Sequence, residues 1–365
     1  MKYYMPVMVY DEENAVRNHA ADLSAFGTKA LLVTGKHAAL QCGALDDVRT
    51  ALQETGTACC LFSDIEENPS VETIARAAAF GESEGVDFVV GIGGGSPMDA
   101  AKAIAFLLKA QRNGEGDAEP EKILYNASLP TEYLPVVLIP TTCGTGSEVT
   151  GVSVLTLHRE RTKKSIPHKV FASLALIDGR YLAGAPHGLI VSTAVDALAH
   201  MLESSQMTSS NEYSMAHVMA GLSIWSKERD VLSGDREPAA GDLTALMRAS
   251  AFAGMAIAQT GTSIPHALSY ILTYEEKIAH GRACGYFLPA FMAEVPKEER
   301  MVLLKAAGFS ELHAFEEFMS RCMERPKVSE QTLRLAFEAV SANTQRLKSC
   351  RIPMTEEKLM RIAGI

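Results

Sequence analysis

Short apolar runs alternate with helix-like stretches through the first half of this chain, and past about Pro186 the strand-like runs stop. This change of period constrains the fold more than any other feature. Strands each followed by a helix call for a parallel sheet covered by helices, whereas an unbroken series of helices must bury its apolar faces against itself. Residues 30–33, 59–62, 87–92 and 134–140 predict strands, and residues 71–83 and 97–109 predict helices, the first stopped by Gly85. Beyond the change, residues 189–203, 214–225, 243–259, 267–272, 302–307 and 329–342 predict helices. The polar, glycine-containing stretch 111–121 reads as an exposed loop. A chain of 365 residues is too long for one ordinary core. The expectation is an α/β domain over residues 1–185 and an all-α domain over 186–365, with the boundary inside 179–188.

A formal charge of −10 without a basic run argues against a nucleic-acid partner. No apolar stretch approaches the length of a bilayer span, and the N-terminal residues lack the pattern of an export signal. The seven cysteines are odd in number and irregularly spaced, as expected of free thiols in a reducing cytosol. The chain therefore reads as a cytoplasmic protein without membrane attachment.

Two patterns carry chemistry. The strand at 87–92 runs into Gly93-Gly94-Gly95-Ser96 and then a helix, an arrangement that aims backbone N–H groups and a positive helix end at an anion. It matches neither G-x-G-x-x-G nor a Walker loop. A tight structural turn would use the same glycines, but a second glycine-rich turn at residues 143–147 favours a ligand. The other pattern is Asp196 and His200, four residues apart on one helical face, with His266 and His280 downstream. One carboxylate and three imidazoles suit a divalent transition metal. His266 follows Pro265 at an expected helix start, and His280 precedes Gly281 at an expected break. Isolated histidines are more often core or surface residues, so spacing alone leaves both readings open. Cys143 reads as a packing residue.

Taken together, Gly93-Gly94-Gly95-Ser96-Pro97-Met98-Asp99-Ala100-Ala101-Lys102, then Pro140-Thr141-Thr142-Cys143-Gly144-Thr145-Gly146-Ser147-Glu148-Val149-Thr150, then Asp196 and His200 within Asp-Ala-Leu-Ala-His resemble the iron-containing (group III) alcohol dehydrogenases. The resemblance spans most of the chain and weakens after about Pro289. It implies a dehydroquinate-synthase-like fold, with an N-terminal dinucleotide-binding α/β domain, an all-α C-terminal domain and a metal in the cleft between them. By the same resemblance Asp196, His200, His266 and His280 would bind Fe²⁺, or Zn²⁺ as in some relatives. Gly94, Gly95 and Ser96 would hold the cofactor pyrophosphate; Asp99, Lys102, Thr141 and Thr142 would line its cleft; and Lys164 would reach toward the nicotinamide. The implied reaction is hydride transfer between NAD(P)H and a small aldehyde or primary alcohol. A lyase of the dehydroquinate-synthase type is the alternative, disfavoured by the few basic residues around the metal-bearing helices. A homodimer formed through the strand near residues 5–10 is also implied.

The chain departs from the family pattern twice. Tyr270 stands where many members carry a histidine implicated in the proton path. Gly35 stands where NAD-preferring relatives hold an aspartate for the ribose 2′-hydroxyl, and Lys36 follows it. Loss of that carboxylate removes repulsion of a 2′-phosphate, so NADP(H) is expected over NAD(H).

Overall fold

The structure is a computed structural model that describes residues 3–116, 118–160 and 162–365. The chain divides into two compact units. One comprises Met5–Thr142 and Ser147–Gly184; the other comprises Ala185–Ile365 together with Cys143–Gly146 and Tyr3 and Tyr4. Four residues in the middle of the α/β sequence thus belong to the helical unit, an exchange that residue periodicity does not reveal.

Among the described residues the first unit is built on eight strands: β1 (Met8–Asp11), β2 (Lys29–Thr34), β3 (Ala58–Phe62), β4 (Phe88–Gly93), β5 (Val136–Pro140), β6 (Val154–Leu157), β7 (Thr162–Ser165) and β8 (Leu174–Ile177). Six form a parallel sheet in the order β1-β8-β5-β4-β2-β3, and β6 and β7 form a separate antiparallel ribbon. The sheet separates two cores because side chains alternate along each strand. Leu31, Val33, Val89 and Leu138 enter one core, while Ala30, Leu32, Val90 and Val137 enter the other. The helix Val71–Glu84 starts on Ser70, whose hydroxyl accepts from the Thr73 N–H, and ends at Gly85 in the left-handed region. The helix Gly95–Ala110 is apolar on nearly every side and lies within the core, so its polar end is fixed in place.

The expected strands at 30–33, 59–62, 87–92 and 134–140 correspond to β2 to β5. Strand β1 overlaps the N-terminal strand that the resemblance implies near residues 5–10, whereas residue pattern does not reveal β6, β7 and β8; each has only four residues, too few for alternation to stand out. The expected loop at 111–121 is corrected: Gln111–Glu115 continues the preceding helix with a wider turn, and Pro120–Leu124 is a short helix of its own. Asp117 lies outside the described residues.

In the second unit, His187–Ser205, Glu212–Trp225, Ala240–Thr260, Ile264–Glu275 and His280–Glu294 are the principal helices. Trp225 is fully buried, donates its indole N–H to the Ala194 carbonyl at 2.9 Å, and packs on Phe309 and Phe318. The expected break at His280 is corrected as well, since His280 opens a 15-residue helix and Gly281 lies inside it. Close approach explains that glycine. A Cβ there would fall 1.8 Å from the Ser192 carbonyl oxygen, so this helix and the helix His187–Ser205 meet backbone to backbone only with glycine present. No described helix is long and apolar enough to cross a membrane.

Candidate metal and cofactor sites

Asp196 lies midway along His187–Ser205, His266 in the first turn of Ile264–Glu275, and His280 at the start of His280–Glu294. Donor atoms of Asp196, His266, His280 and Cys284 all lie within 4.8 Å of one another. His266 Nε2 is 3.4 Å and His280 Nε2 is 3.7 Å from Asp196 Oδ1. The His200 ring is not part of that tightest set; it stacks on His266, with ring centroids 4.4 Å apart.

Hydrogen bonding around the rings fixes where their lone pairs point. His266 Nδ1 meets Glu203 Oε1 at 2.5 Å, and a carboxylate can only accept, so Nδ1 carries a proton and, in the neutral ring, Nε2 presents its lone pair. His200 Nδ1 lies 3.3 Å from the Gly144 carbonyl oxygen, which likewise leaves Nε2 available. Asp196 Oδ1 and His266 Nε2 therefore face each other as two acceptors. Both are buried, and among the described residues neither has a hydrogen-bond partner. At that distance the two lone pairs need positive charge between them, a proton on Nε2 or a cation; Cys284, Glu203 and Asp196 all favour positive charge at His266 against its burial, and this donor set fits a divalent metal.

The electrostatics agree with that fit. Burial works against ionisation of Asp196, yet His200, His280 and His266 hold its carboxyl well below the usual carboxylate range. Burial, helped by the neighbouring His266, pushes the His200 imidazole down against the pull of Asp196, favouring the neutral ring that a metal needs. Glu203 and Cys284 are fully buried contributors that residue spacing had not singled out. Glu203 follows His200 by three residues and Cys284 follows His280 by four, so each shares a helical face with a predicted ligand, but spacing alone does not tell a buried acid or thiol from a solvated or packing one. Tyr270 stacks on the His280 ring at 5.8 Å, and burial pushes its phenol up. Cys143 is buried, its thiol pushed up to about 11 by burial, as suits a packing residue.

The glycine turn belongs to the α/β unit. Gly93 has φ of 149°, a conformation open to glycine, and a Cβ there would meet Pro97 at 2.7 Å. Gly94 precedes the helix Gly95–Ala110 and supplies no side-chain cap, so the first backbone N–H groups of that helix point outward without one. Ser96 Oγ accepts from the Asn68 N–H at 3.0 Å, and Asn68 Oδ1 accepts from Lys163 Nζ at 2.6 Å. On the alternating ribbon strand, Lys163 is thereby joined to the glycine turn, while Lys164 lies over the Tyr125 ring at 5.3 Å.

Asp99 and Lys102 form a buried knot. Lys102 Nζ donates to Ser147 Oγ at 2.6 Å, to Val152 O at 2.9 Å and to Thr150 Oγ1 at 3.4 Å; Asp99 accepts from Ser147 Oγ at 2.6 Å and from the Val154 N–H at 2.9 Å. With its three donors engaged and no exposed surface, Lys102 holds residues 147–154 in place. Thr141 donates its N–H to the Gly93 carbonyl at 3.0 Å, and the Thr142 side chain lies beside Gly94. Gly35 has room for a side chain, with Ile65 O 3.4 Å from an added Cβ as the nearest atom. Lys36 pairs with Asp64 at 3.2 Å, and Arg76 reaches the same carboxylate at 3.5 Å.

Comparison with known proteins identifies the family of the chain. The family model of iron-containing alcohol dehydrogenase matches residues 6–179, and that of the C-terminal part of the Fe-containing alcohol dehydrogenase family matches residues 190–308. The chain belongs to the iron-containing alcohol dehydrogenase family. Long-chain-alcohol dehydrogenase 1 of Geobacillus thermodenitrificans is 31% identical over 310 residues, covering 83% of this chain and 76% of that protein. Lactaldehyde reductase of Escherichia coli K12 is 31% identical over 268 residues, covering 72% and 67% respectively. An iron-containing alcohol dehydrogenase of Thermotoga maritima superposes with a TM-score of 0.88 at 35% identity, covering 100% of this chain and 99% of that structure. The parallel α/β unit and the helical unit are those of this family, and the function that follows is NAD(P)-dependent oxidoreduction between an alcohol and its aldehyde.

Proposed function

We propose that the chain is a metal-dependent, NADP(H)-preferring reductase of small aldehydes that also runs in the alcohol-oxidising direction. The observation that carries the reading is the pair of buried, unpartnered acceptors, Asp196 Oδ1 and His266 Nε2, in a member of this family. Asp196, His200, His266 and His280 would hold the ion, Fe²⁺ or Zn²⁺. Bound there, it would supply Lewis acidity to a substrate oxygen. Glu203 keeps His266 in the tautomer that presents Nε2, and the Gly144 carbonyl does the same for His200.

In the α/β unit, Gly94, Gly95 and Ser96 would receive the cofactor pyrophosphate at the start of the helix Gly95–Ala110. Thr141 and Thr142 complete that wall, while Asp99 and Lys102 act as positioning residues. Lys163, joined to Ser96 through Asn68, stands beside Lys164 as a lysine for the nicotinamide side. Without a carboxylate at Gly35, Lys36 and Arg76 offer two cations to a ribose 2′-phosphate in exchange for their shared Asp64. Gly35→Asp, which has room for its side chain, is expected to move the NADPH/NADH ratio of kcat/KM at least tenfold toward NADH; an unchanged ratio would remove Gly35 from cofactor selection. The reading places the enzyme in the cytoplasm as a homodimer formed through the β1 edge, which size measurement of wild type and of a β1 proline variant would check.

The test is anaerobic reconstitution with Fe²⁺ or Zn²⁺, followed by NADPH oxidation across a panel of small aldehydes. Turnover by wild type, with loss of both metal and turnover in His266→Ala, is expected. Metal-loaded protein inert toward every aldehyde would overturn the assignment.

A further inference from the structure

Cys284 is placed where a packing cysteine has no reason to be. It follows His280 by four residues on one helical face, so both side chains point the same way from His280–Glu294. Its Sγ lies 3.7 Å from His280 Nε2 and donates its hydrogen to Ser269 Oγ at 3.3 Å. The same sulfur falls within 4.8 Å of the donor atoms of Asp196 and His266, the two buried groups whose facing acceptors have no partner. Sulfur, carboxylate and two imidazole nitrogens thus converge on one volume, and Cys284 is fully buried there.

We propose that Cys284 is a sulfur ligand of the metal, adding a soft thiolate to the carboxylate and imidazole donors. The proposal rests on the metal reading above and adds to it a donor type that changes which ion is preferred. On binding, the S–H bond breaks, the sulfur keeps the electron pair as the metal–sulfur bond forms, and the proton passes to solvent buffer. Ser269 Oγ then loses a donor and keeps its own hydrogen on the His266 carbonyl at 2.8 Å. A thiolate favours zinc and cobalt over iron relative to an all-nitrogen and oxygen set.

The test uses the full-length protein, stripped of metal and titrated anaerobically with Co²⁺. Wild type is expected to bind one cobalt with a near-ultraviolet sulfur-to-cobalt charge-transfer band. Cys284→Ser is expected to bind cobalt without that band, and to lose at least tenfold in its preference for Zn²⁺ over Fe²⁺ in direct competition. Cobalt bound by wild type with only ligand-field bands, or a band that persists in Cys284→Ser, would overturn the sulfur ligand and leave the metal site standing. No cobalt bound by wild type, judged by elemental analysis, would overturn both. Because the wild-type spectrum decides the first question, a variant that fails to fold does not protect the proposal.

Discussion

Glu203 is a fully buried carboxylate in a helix whose neighbouring side chains are mostly apolar, and its surroundings account for it. One oxygen accepts from His266 Nδ1 and the other from the Ser263 N–H at 2.6 Å, so a single side chain sets both the start of the helix Ile264–Glu275 and the tautomer of its histidine. Removing the charge weakens the basicity of the imidazole toward a metal. Glu203→Gln is expected to fold, since an amide oxygen still accepts from Nδ1, and to weaken metal affinity by roughly 10- to 100-fold in a chelator competition. Affinity within threefold of wild type would show that orientation alone is enough. Asp196, His266 and His280 could be picked out from spacing and family resemblance because metal donors are chemically distinctive. Glu203 could not, because a glutamate in a helix looks like any solvated acid until its burial is known. Cys284 escaped for the opposite reason, as a small apolar-looking residue among other such residues.

At the level of elements, the geometry that brings the donors together depends on a few glycines. Gly281 lets His280–Glu294 lie against His187–Ser205, where an added Cβ would strike the Ser192 carbonyl. Gly281→Ala must push apart the helices that carry Asp196 and His280. It is expected to cost about 1–3 kcal/mol of stability from overpacking, together with metal retention, as read by thermal unfolding and elemental analysis. Gly241→Ala is the control: nothing lies within 4 Å of a Cβ there, and it sits in the first turn of Ala240–Thr260, so stability is expected to hold or rise. Equal losses in the two variants would refute the close-approach argument. Long strands and helices were legible from residue pattern, because several turns or alternations reinforce one another. The helix at His280 was not, since His-Gly after a polar stretch resembles a terminus, and the glycine's purpose lies on another helix.

For the molecule as a whole, two buried groups near the glycine turn give stability a definite pH dependence. Burial raises the Glu148 carboxyl to about 7 from an ordinary 4.5, while Lys102 and a backbone N–H oppose the shift. The folded chain therefore keeps a proton that the unfolded chain has released between those values, and this contribution falls as pH rises through that window. Burial lowers Lys102 to about 8 from 10.5, against the pull of Asp99 and Glu148. Here the unfolded chain holds the extra proton, so stability recovers as pH climbs from about 8 toward 10.5. Urea midpoints measured from pH 5 to 10 are expected to pass through a shallow minimum between about 7 and 8, and Glu148→Gln is expected to flatten the acid side. An acid limb that persists in Glu148→Gln would assign it to another group.

The turn Cys143–Gly146 is part of the helical unit, although the chain on either side of it belongs to the sheet unit. Its Gly144 carbonyl accepts from His200, and Gly146, at φ of 57°, lies so close to Gly254 that a Cβ there would come within 2.5 Å of the Gly254 Cα. The two halves are accordingly not modules that can be traded at a single joint. A chimera that takes its helical half from a relative inherits the host's loop as well, and with it a stranger's carbonyl beneath the histidine. In such a protein the donor of residues 185–365 and the donor of four residues far upstream have to match, so recombination within this family is expected to succeed where both crossovers are exchanged together.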